Sequence, residues 1–366
     1  MTPTILLVED RQENLIELEE AIRPLLREGE AEIFAWRPSS DDEATPLERL
    51  EALHNEYAFE LVVCDFDLTS GQKGLFGSSI VQWCQVRGIP AGDFTNDPQK
   101  NGLPERPNLF ELRVPSDTKY AKTAQFVVSA FRGFRDIRLS IDADSELAER
   151  RSPATVIASL LGVESQEDEF AQYSMRFGFS NSALMSQISE RDESGRPDDG
   201  KRRRLLAYIC GHLLLNAILK YPGPILSSNS LAAYVGVKPG AEDGRLEEVF
   251  ARARYEGPFS DLSSFFWTEK VDEILESLTV DADIQGDTIG SINRQILERH
   301  MRVQLTRHDC PRCQGEQGGF ICAFTNKVIC RLGDCSAPSN SWIPSGARLC
   351  RVERTFYDEW APVLGL

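Results

Sequence analysis

Two short apolar runs, each ending in carboxylates, constrain this chain more than any other feature. TILLVED (residues 4–10) ends in Glu9 and Asp10, and ELVVCDFDL (residues 60–68) carries Asp65 and Asp67. An apolar run of strand length without polar alternation is a strand buried on both faces, as in a parallel sheet covered by helices. The intervening sequence fits that reading. Leu15, Leu18, Ile22 and Leu25/Leu26 recur at helical spacing, AEIFAW (residues 31–36) reads as a second strand, and Leu47, Leu50, Leu53 and Tyr57 mark a second helix after Pro46. Alternating strands and amphipathic helices predict a doubly wound α/β N-terminal domain. Ligands of such sheets bind at the carboxyl ends of the strands. Glu9, Asp10 and Asp65 all stand at such ends, so the pattern favours a cation pocket over three separately solvated acids, and a hard oxygen-seeking cation such as Mg²⁺ suits it.

On these residues the chain resembles the receiver domain of two-component response regulators over about residues 1–137. The resemblance implies that Glu9 and Asp10 help hold Mg²⁺ and that Asp65 accepts a phosphoryl group from a histidine kinase. It also implies that Asp67 gives a backbone carbonyl to the metal and that Thr95, in GIPAGDFT, supplies the switch hydroxyl. Three features depart from the family pattern. Where the family has a Lys-Pro pair after its fifth strand, this chain has Val114-Pro115, with Arg113, Lys100 and Lys119 as candidate substitutes for the lysine. An Arg one residue earlier on a strand points to the opposite face. The fourth strand contains Gly92 and Asp93, where a central strand is expected to be apolar. Residues 96–108 hold three prolines and read as a loop where the family has its fourth helix. A helix over 116–134 is expected to close the domain.

Residues 138–300 read as a mostly α-helical middle domain, from helical spacing over 155–161, 205–219 and 271–278. The stretch RRRLLAYICGHLLLNAILK is apolar around nearly its whole circumference, which predicts a buried helix with His212 and Cys210 as core residues. Lys201 to Arg204 form a basic run at its start, read as a solvated helix face with phosphate or acidic-partner contact as the alternative. The aromatic string at 258–267 is expected to pack in a core or interface.

Beyond residue 309 lie six of the nine cysteines: Cys310, Cys313, Cys322, Cys330, Cys335 and Cys350. Such clustering in a reducing compartment points to metal rather than disulfides. Cys310, Cys313, Cys330 and Cys335 form a C-x2-C-x16-C-x4-C array, the spacing of a structural Zn²⁺ module whose four thiolates leave no open coordination position. His308, Cys322 and Cys350 are further candidate ligands, with packing thiols the simpler reading of the two cysteines. Residues 301–366 are therefore read as a small zinc-binding module.

Lys and Arg number 40 against 57 Asp and Glu, a net charge of −17 that argues against nonspecific nucleic-acid coating. Arg299, Arg302, Arg307 and Arg312 face only Asp309 around the zinc array. That local excess favours a protein-docking role, with nucleic acid second. No apolar stretch has membrane-spanning length and the N-terminus does not read as a signal peptide, so the expectation is a cytoplasmic protein without membrane contact. No HExxH, GxSxG or P-loop pattern is present, so no catalytic residue is assigned and an enzyme is not expected. The leading expectation is a signalling adaptor: a receiver-like domain joined to a zinc-stabilised docking module, with a histidine kinase or other signalling protein as partner. The alternative is a DNA-binding response regulator with its output in the C-terminal region.

Overall fold

In a computed structural model the described residues are 2–40, 44–94, 109–117, 119–150, 152–180, 184, 187, 199–279, 284, 286–315, 319–338 and 343–364. The chain forms two compact units, Met1–Val156 with Gly178–His212, and Ile157–Phe177 with Leu213–Leu366. In the first, β1 (Thr4–Val8), α1 (Gln12–Ile22), β2 (Glu32–Trp36), α2 (Pro46–Tyr57), β3 (Phe59–Asp65), α3 (Gly77–Arg87) and β4 (Ala91–Phe94) alternate. The four strands make one parallel sheet in the order β2-β1-β3-β4. This is the α/β arrangement expected of the N-terminal region. All five residues of β1 are buried, which is why the run TILLV carries no polar alternation.

Local signals start and stop the helices. Thr45 and Glu48 form a capping box at α2, with the Glu48 carboxylate accepting from the Thr45 amide at 2.9 Å and Pro46 at the first helical position. Gly88 ends α3 at φ 66°, a left-handed conformation that costs glycine nothing. Leu6 and Val8 of β1 and Val62 and Cys64 of β3 pack against Leu50 and Leu53 of α2 and against Ile80 and Val81 of α3. The closing helix α4 (Ala121–Ala143) packs against α1 and β3.

α4 departs from its expected limits. It begins five residues later than 116, because Tyr120 takes a left-handed φ of 53° and the Asp117 carboxylate accepts from the Lys122 amide at 3.2 Å, capping the helix start. It ends at Ala143, nine residues past the expected end at 134, because Ile137 and Ile141 continue the buried stripe of Phe131 and Phe134. Helices α5 (Ser145–Glu149), α6 (Pro153–Leu160), α7 (Glu167–Ser180) and α8 (Asp199–Leu213) follow. The basic run lies in the first half of α8, and a π-helical turn, Leu214–Ile218, extends it. His212 is fully buried among Phe110, Phe134 and Tyr208, and burial pushes its pKa down to about 3.

Gly92 also has a structural reason. The Leu112 amide donates to the Ala91 carbonyl at 2.8 Å, so residues around 112 run beside β4 at the sheet edge. A Cβ on Gly92 would stand 2.1 Å from the Leu112 carbonyl oxygen. The glycine that looked misplaced in a central strand is what lets the neighbouring segment approach.

The second unit contains β5 (Ile225–Ser227), α9 (Ser228–Tyr234), α10 (Asp243–Val249), β6 (Phe265–Trp267), α11 (Thr268–Leu278) and α12 (Ile289–Met301). Leu231, Val235, Leu246, Phe250, Phe266, Val271, Leu275 and Leu297 share its core. The aromatic string ends in β6, whose three residues are all buried and pair antiparallel with β5. After α12 come β7 (Phe320–Cys322), β8 (Val328–Ile329), β9 (Ser336–Ala337), β10 (Cys350–Glu353) and α13 (Arg354–Leu364), the strands forming a sheet in the order β8-β7-β10-β9. Among the described residues no helix is long and apolar enough to cross a membrane.

Gly92→Ala is expected to destabilise the first unit by about 1–3 kcal/mol, the usual range for forcing atoms into a filled space. A urea titration followed by circular dichroism measures it, and an unchanged midpoint would contradict the close approach to Leu112.

Candidate metal centres

A carboxylate that follows a buried parallel strand cannot turn far from the sheet, so the ends of β1 and β3 decide where the acids go. One carboxylate oxygen from each of Glu9, Asp10 and Asp65 lies within 4.8 Å of the others. Glu9 is only 2% exposed, and its Oε1 accepts from the Arg11 amide at 3.0 Å. Asp10 Oδ2 accepts from the amides of Ser70 and Gly71 at 2.9 and 3.1 Å, which ties the loop after β3 to the end of β1. Two glycines make room. A Cβ on Gly71 would meet the Pro38 carbonyl at 2.4 Å, and one on Gly77 would meet the Asp65 carbonyl at 2.5 Å. Nothing in the spacing of the acids revealed these close approaches; the signal was the pair of glycines flanking the loop.

Burial, with crowding of like charge second, shows in the protonation of the acids. Burial raises Glu9 to about 7, and the nearby Asp65 charge adds to the rise against the lowering effect of the Arg11 amide. Burial likewise lifts Asp65 to about 6, with Asp10 and Asp67 contributing. Buried carboxylates that repel one another are stabilised by a cation among them. An all-oxygen donor set fits a hard divalent ion.

The other residues of the expected phosphoacceptor pocket are placed as follows. Asp67 accepts from Thr69 through both its amide, at 3.2 Å, and its hydroxyl, at 2.5 Å, and its backbone bridges Phe76. Thr95 and Lys100 lie outside the described residues. Val114 is buried, whereas Arg113 and Lys119 are exposed.

The second cluster is built on two turns. Cys310, Cys313, Cys330 and Cys335 each place a sulfur within 4.8 Å of the others. The Cys313 and Cys330 sulfurs are 3.8 Å apart. Two thiolates each about 2.3 Å from one tetrahedral ion stand roughly 3.8 Å apart, whereas a disulfide holds its sulfurs at about 2.05 Å. The first turn closes through Gln314 N–H to the Cys310 carbonyl at 2.9 Å, with Gln314 left-handed at φ 56°. The second closes through the Cys335 and Ser336 amides to the Leu332 carbonyl at 2.9 and 3.0 Å.

Burial alone would raise the Cys310 thiol, but the amides of Cys313, Arg312 and Cys330 aim at its sulfur and bring it down to about 7. Burial pushes Cys330 and Cys335 up. Of these three, Cys310 is the readiest to ionise, and binding of a cation would favour loss of the protons from Cys330 and Cys335. Four converging sulfurs, three buried and Cys313 exposed, are compatible with a structural metal site.

The further candidate ligands lie outside this group of four. Cys322, in β7, accepts from the Glu353 amide at 3.3 Å, and Cys350, in β10, pairs with Ile321. Burial raises Cys350 to about 12, the behaviour of a packing thiol. His308 is buried, its ring bonded to the Val328 backbone and its Nε2 without a hydrogen-bond partner.

Comparison with family models, curated proteins and solved structures returns no match for this chain.

Two measurements follow. Because Glu9 and Asp65 are raised above their unfolded values, the folded chain holds more protons than the unfolded one between about pH 4 and 7, so carboxylate-linked stability is present at low pH and lost as pH rises to 7. In chelator-treated protein the melting temperature of the first unit should fall from pH 5 to pH 8. Millimolar Mg²⁺ should restore about 2 °C or more at pH 8 and little at pH 5. Calorimetric scans at both pH values check this, and a Mg²⁺ effect of equal size at both would contradict it. For the thiols, Cys330→Ser should abolish binding of the single metal equivalent measured by inductively coupled plasma mass spectrometry. Cys322→Ser and Cys350→Ser should retain it, and loss in either would assign that residue to the shell.

Proposed function

We propose that this chain is a cytoplasmic signalling adaptor. Its N-terminal unit is a receiver-like phosphoacceptor, and its C-terminal part is a docking module held by a structural Zn²⁺ on Cys310, Cys313, Cys330 and Cys335. The observation that carries the reading is the meeting of Glu9, Asp10 and Asp65 at the carboxyl ends of adjacent parallel strands. That is where a doubly wound sheet presents its ligand.

In this reading Asp65 is the nucleophile. A carboxylate oxygen of Asp65 forms a bond to the phosphorus of a phosphohistidine or small acyl phosphate, and the bond from phosphorus to the donor breaks. The product is an aspartyl phosphate on Asp65 and the released donor, an imidazole side chain from phosphohistidine or a free carboxylate from an acyl phosphate. Glu9 and Asp10 orient Asp65 and, with the Asp67 carbonyl, would hold Mg²⁺. Bound Mg²⁺ supplies charge neutralisation of the phosphoryl oxygens. The substitution of Val114 for the family's lysine removes one cation from that neutralisation, so phosphoryl transfer depends more heavily on the divalent ion. At pH values above about 6 Asp65 is increasingly the carboxylate, the form that attacks.

For the C-terminal module, a closed shell of four thiolates leaves no position for substrate, so the metal serves folding. The arginines around it, Arg307 and Arg312 among them, suit an acidic protein surface.

Incubation of the full chain with Mg²⁺ and acetyl phosphate, followed by intact mass, should show one phosphoryl adduct that is absent from Asp65→Ala and from samples with chelator. Equal spectra for wild type and Asp65→Ala would overturn the phosphoacceptor role.

A further inference from the structure

At the opposite end of β3 from the carboxylates, roughly 20 Å away along a strand of this length, the first unit has an unassigned basic pocket. A cavity of about 150 Å³ opens beneath the amino ends of β3 and β4. Its walls are Ile89 and Pro90 before β4, Phe131 and Phe134 of α4, and Ala207 and Tyr208 of α8. A cavity of that size and character accommodates one six-membered ring.

The mouth of the cavity is shared with an adjoining groove, and His54 and Arg204 line both. Across the two spaces the described residues place five cations, Arg87, Arg135, Arg138, Lys201 and Arg204, against two carboxylates, Glu51 and Glu60. In a chain of net charge −17 this is a concentrated positive patch. Three of the cations are held in position. Arg87 bonds the Glu51 carboxylate and lies 4.0 Å over the Trp83 ring, Arg135 donates to the Glu30 carbonyl at 2.7 Å, and Arg138 donates to Glu60 at 3.2 Å. Arg204 is exposed at the rim. Each guanidinium has five N–H donors, so these contacts leave others for a ligand.

His54 adds a directed donor. Its Nδ1 accepts the Phe59 amide at 3.1 Å, which puts the ring proton on Nε2. Burial, helped by the Arg204 charge, lowers its pKa and keeps the ring neutral. The pocket also depends on Gly88. Its φ of 66° favours glycine, and a Cβ there would stand 2.8 Å from Leu205 Cδ2, so the Leu205 side chain would have to turn aside.

We infer that this pocket binds a small amphipathic anion, a single ring bearing a phosphate, with the ring in the apolar cavity and the phosphate on Arg204, Lys201 and His54. An apolar space below and a cluster of cations at its mouth match the two ends of such a molecule, and arginine pairs with phosphate through parallel N–H bonds. The site is separate from the acidic pocket and needs no divalent cation.

The test is isothermal titration calorimetry of the full chain with phenyl phosphate in chelator, against inorganic phosphate. Phenyl phosphate should bind with a Kd on the order of 0.1–1 mM, and inorganic phosphate at least about tenfold more weakly because the cavity stays unfilled. Arg204→Glu should abolish phenyl phosphate binding and Arg204→Gln should weaken it about fivefold, both with unchanged melting temperature since Arg204 is at the surface. Asp65→Ala should bind as wild type does. No heat with wild type up to about 10 mM ligand, inorganic phosphate binding as tightly as phenyl phosphate, unchanged affinity in Arg204→Glu, or loss in Asp65→Ala would each overturn the assignment.

Discussion

The first unit is organised around the cost of placing carboxylates at the end of an apolar parallel sheet. Glu9 follows β1 and is buried, and Asp65 ends β3 half-buried, so both are drawn out of bulk water by strands that are themselves mostly buried. They face each other instead, and both hold their protons more tightly than a solvated acid does. Much of the surrounding structure serves this arrangement. The Ser70 and Gly71 amides take one oxygen of Asp10, the Arg11 amide takes one of Glu9, and Gly71 and Gly77 let the loop and the start of α3 approach. Evenly apolar strands would be more stable, and the mutual repulsion of converging carboxylates is relieved by protonation or by a cation among them.

The thiol cluster in the second unit repeats this logic with softer ligands. The strands around the two turns are only two to four residues long, and the apolar cluster they join, Ile321 and Val328 with Ala233, is small. Four sulfurs drawn within 4.8 Å would add to that small core if a metal binds them. Cys322 and Cys350 lie in the adjoining strands and contribute packing, which separates thiols of the same stretch of sequence into two roles.

Where sequence reading and structure differ, tertiary approach is the cause. Gly92 breaks the apolar character of β4 because the Leu112 backbone lies against it. Helix α4 outruns its expected end because Ile137 and Ile141 find a buried surface that periodicity alone had not required. The basic run Lys201 to Arg204 lies on a helix with Arg204 exposed, as a solvated helix face does. Folding brings Lys201 and Arg204 beside Arg87, Arg135 and Arg138, from helices far apart in sequence, and makes a pocket of them.

Local chemistry alone determined β1, β2 and β3, the helices of the first unit marked by apolar periodicity, the acids at the ends of β1 and β3, and the four-cysteine array. Each of those signals lies within a few residues or in a fixed ligand spacing, and backbone geometry leaves little choice about where such residues point. Tertiary structure decided which glycines were obligatory, how deeply Glu9 was buried, and that cations from distant helices line one pocket at the far end of the sheet. Those outcomes depend on distances between elements separated by tens of residues, and such distances are set by the packing of the whole core.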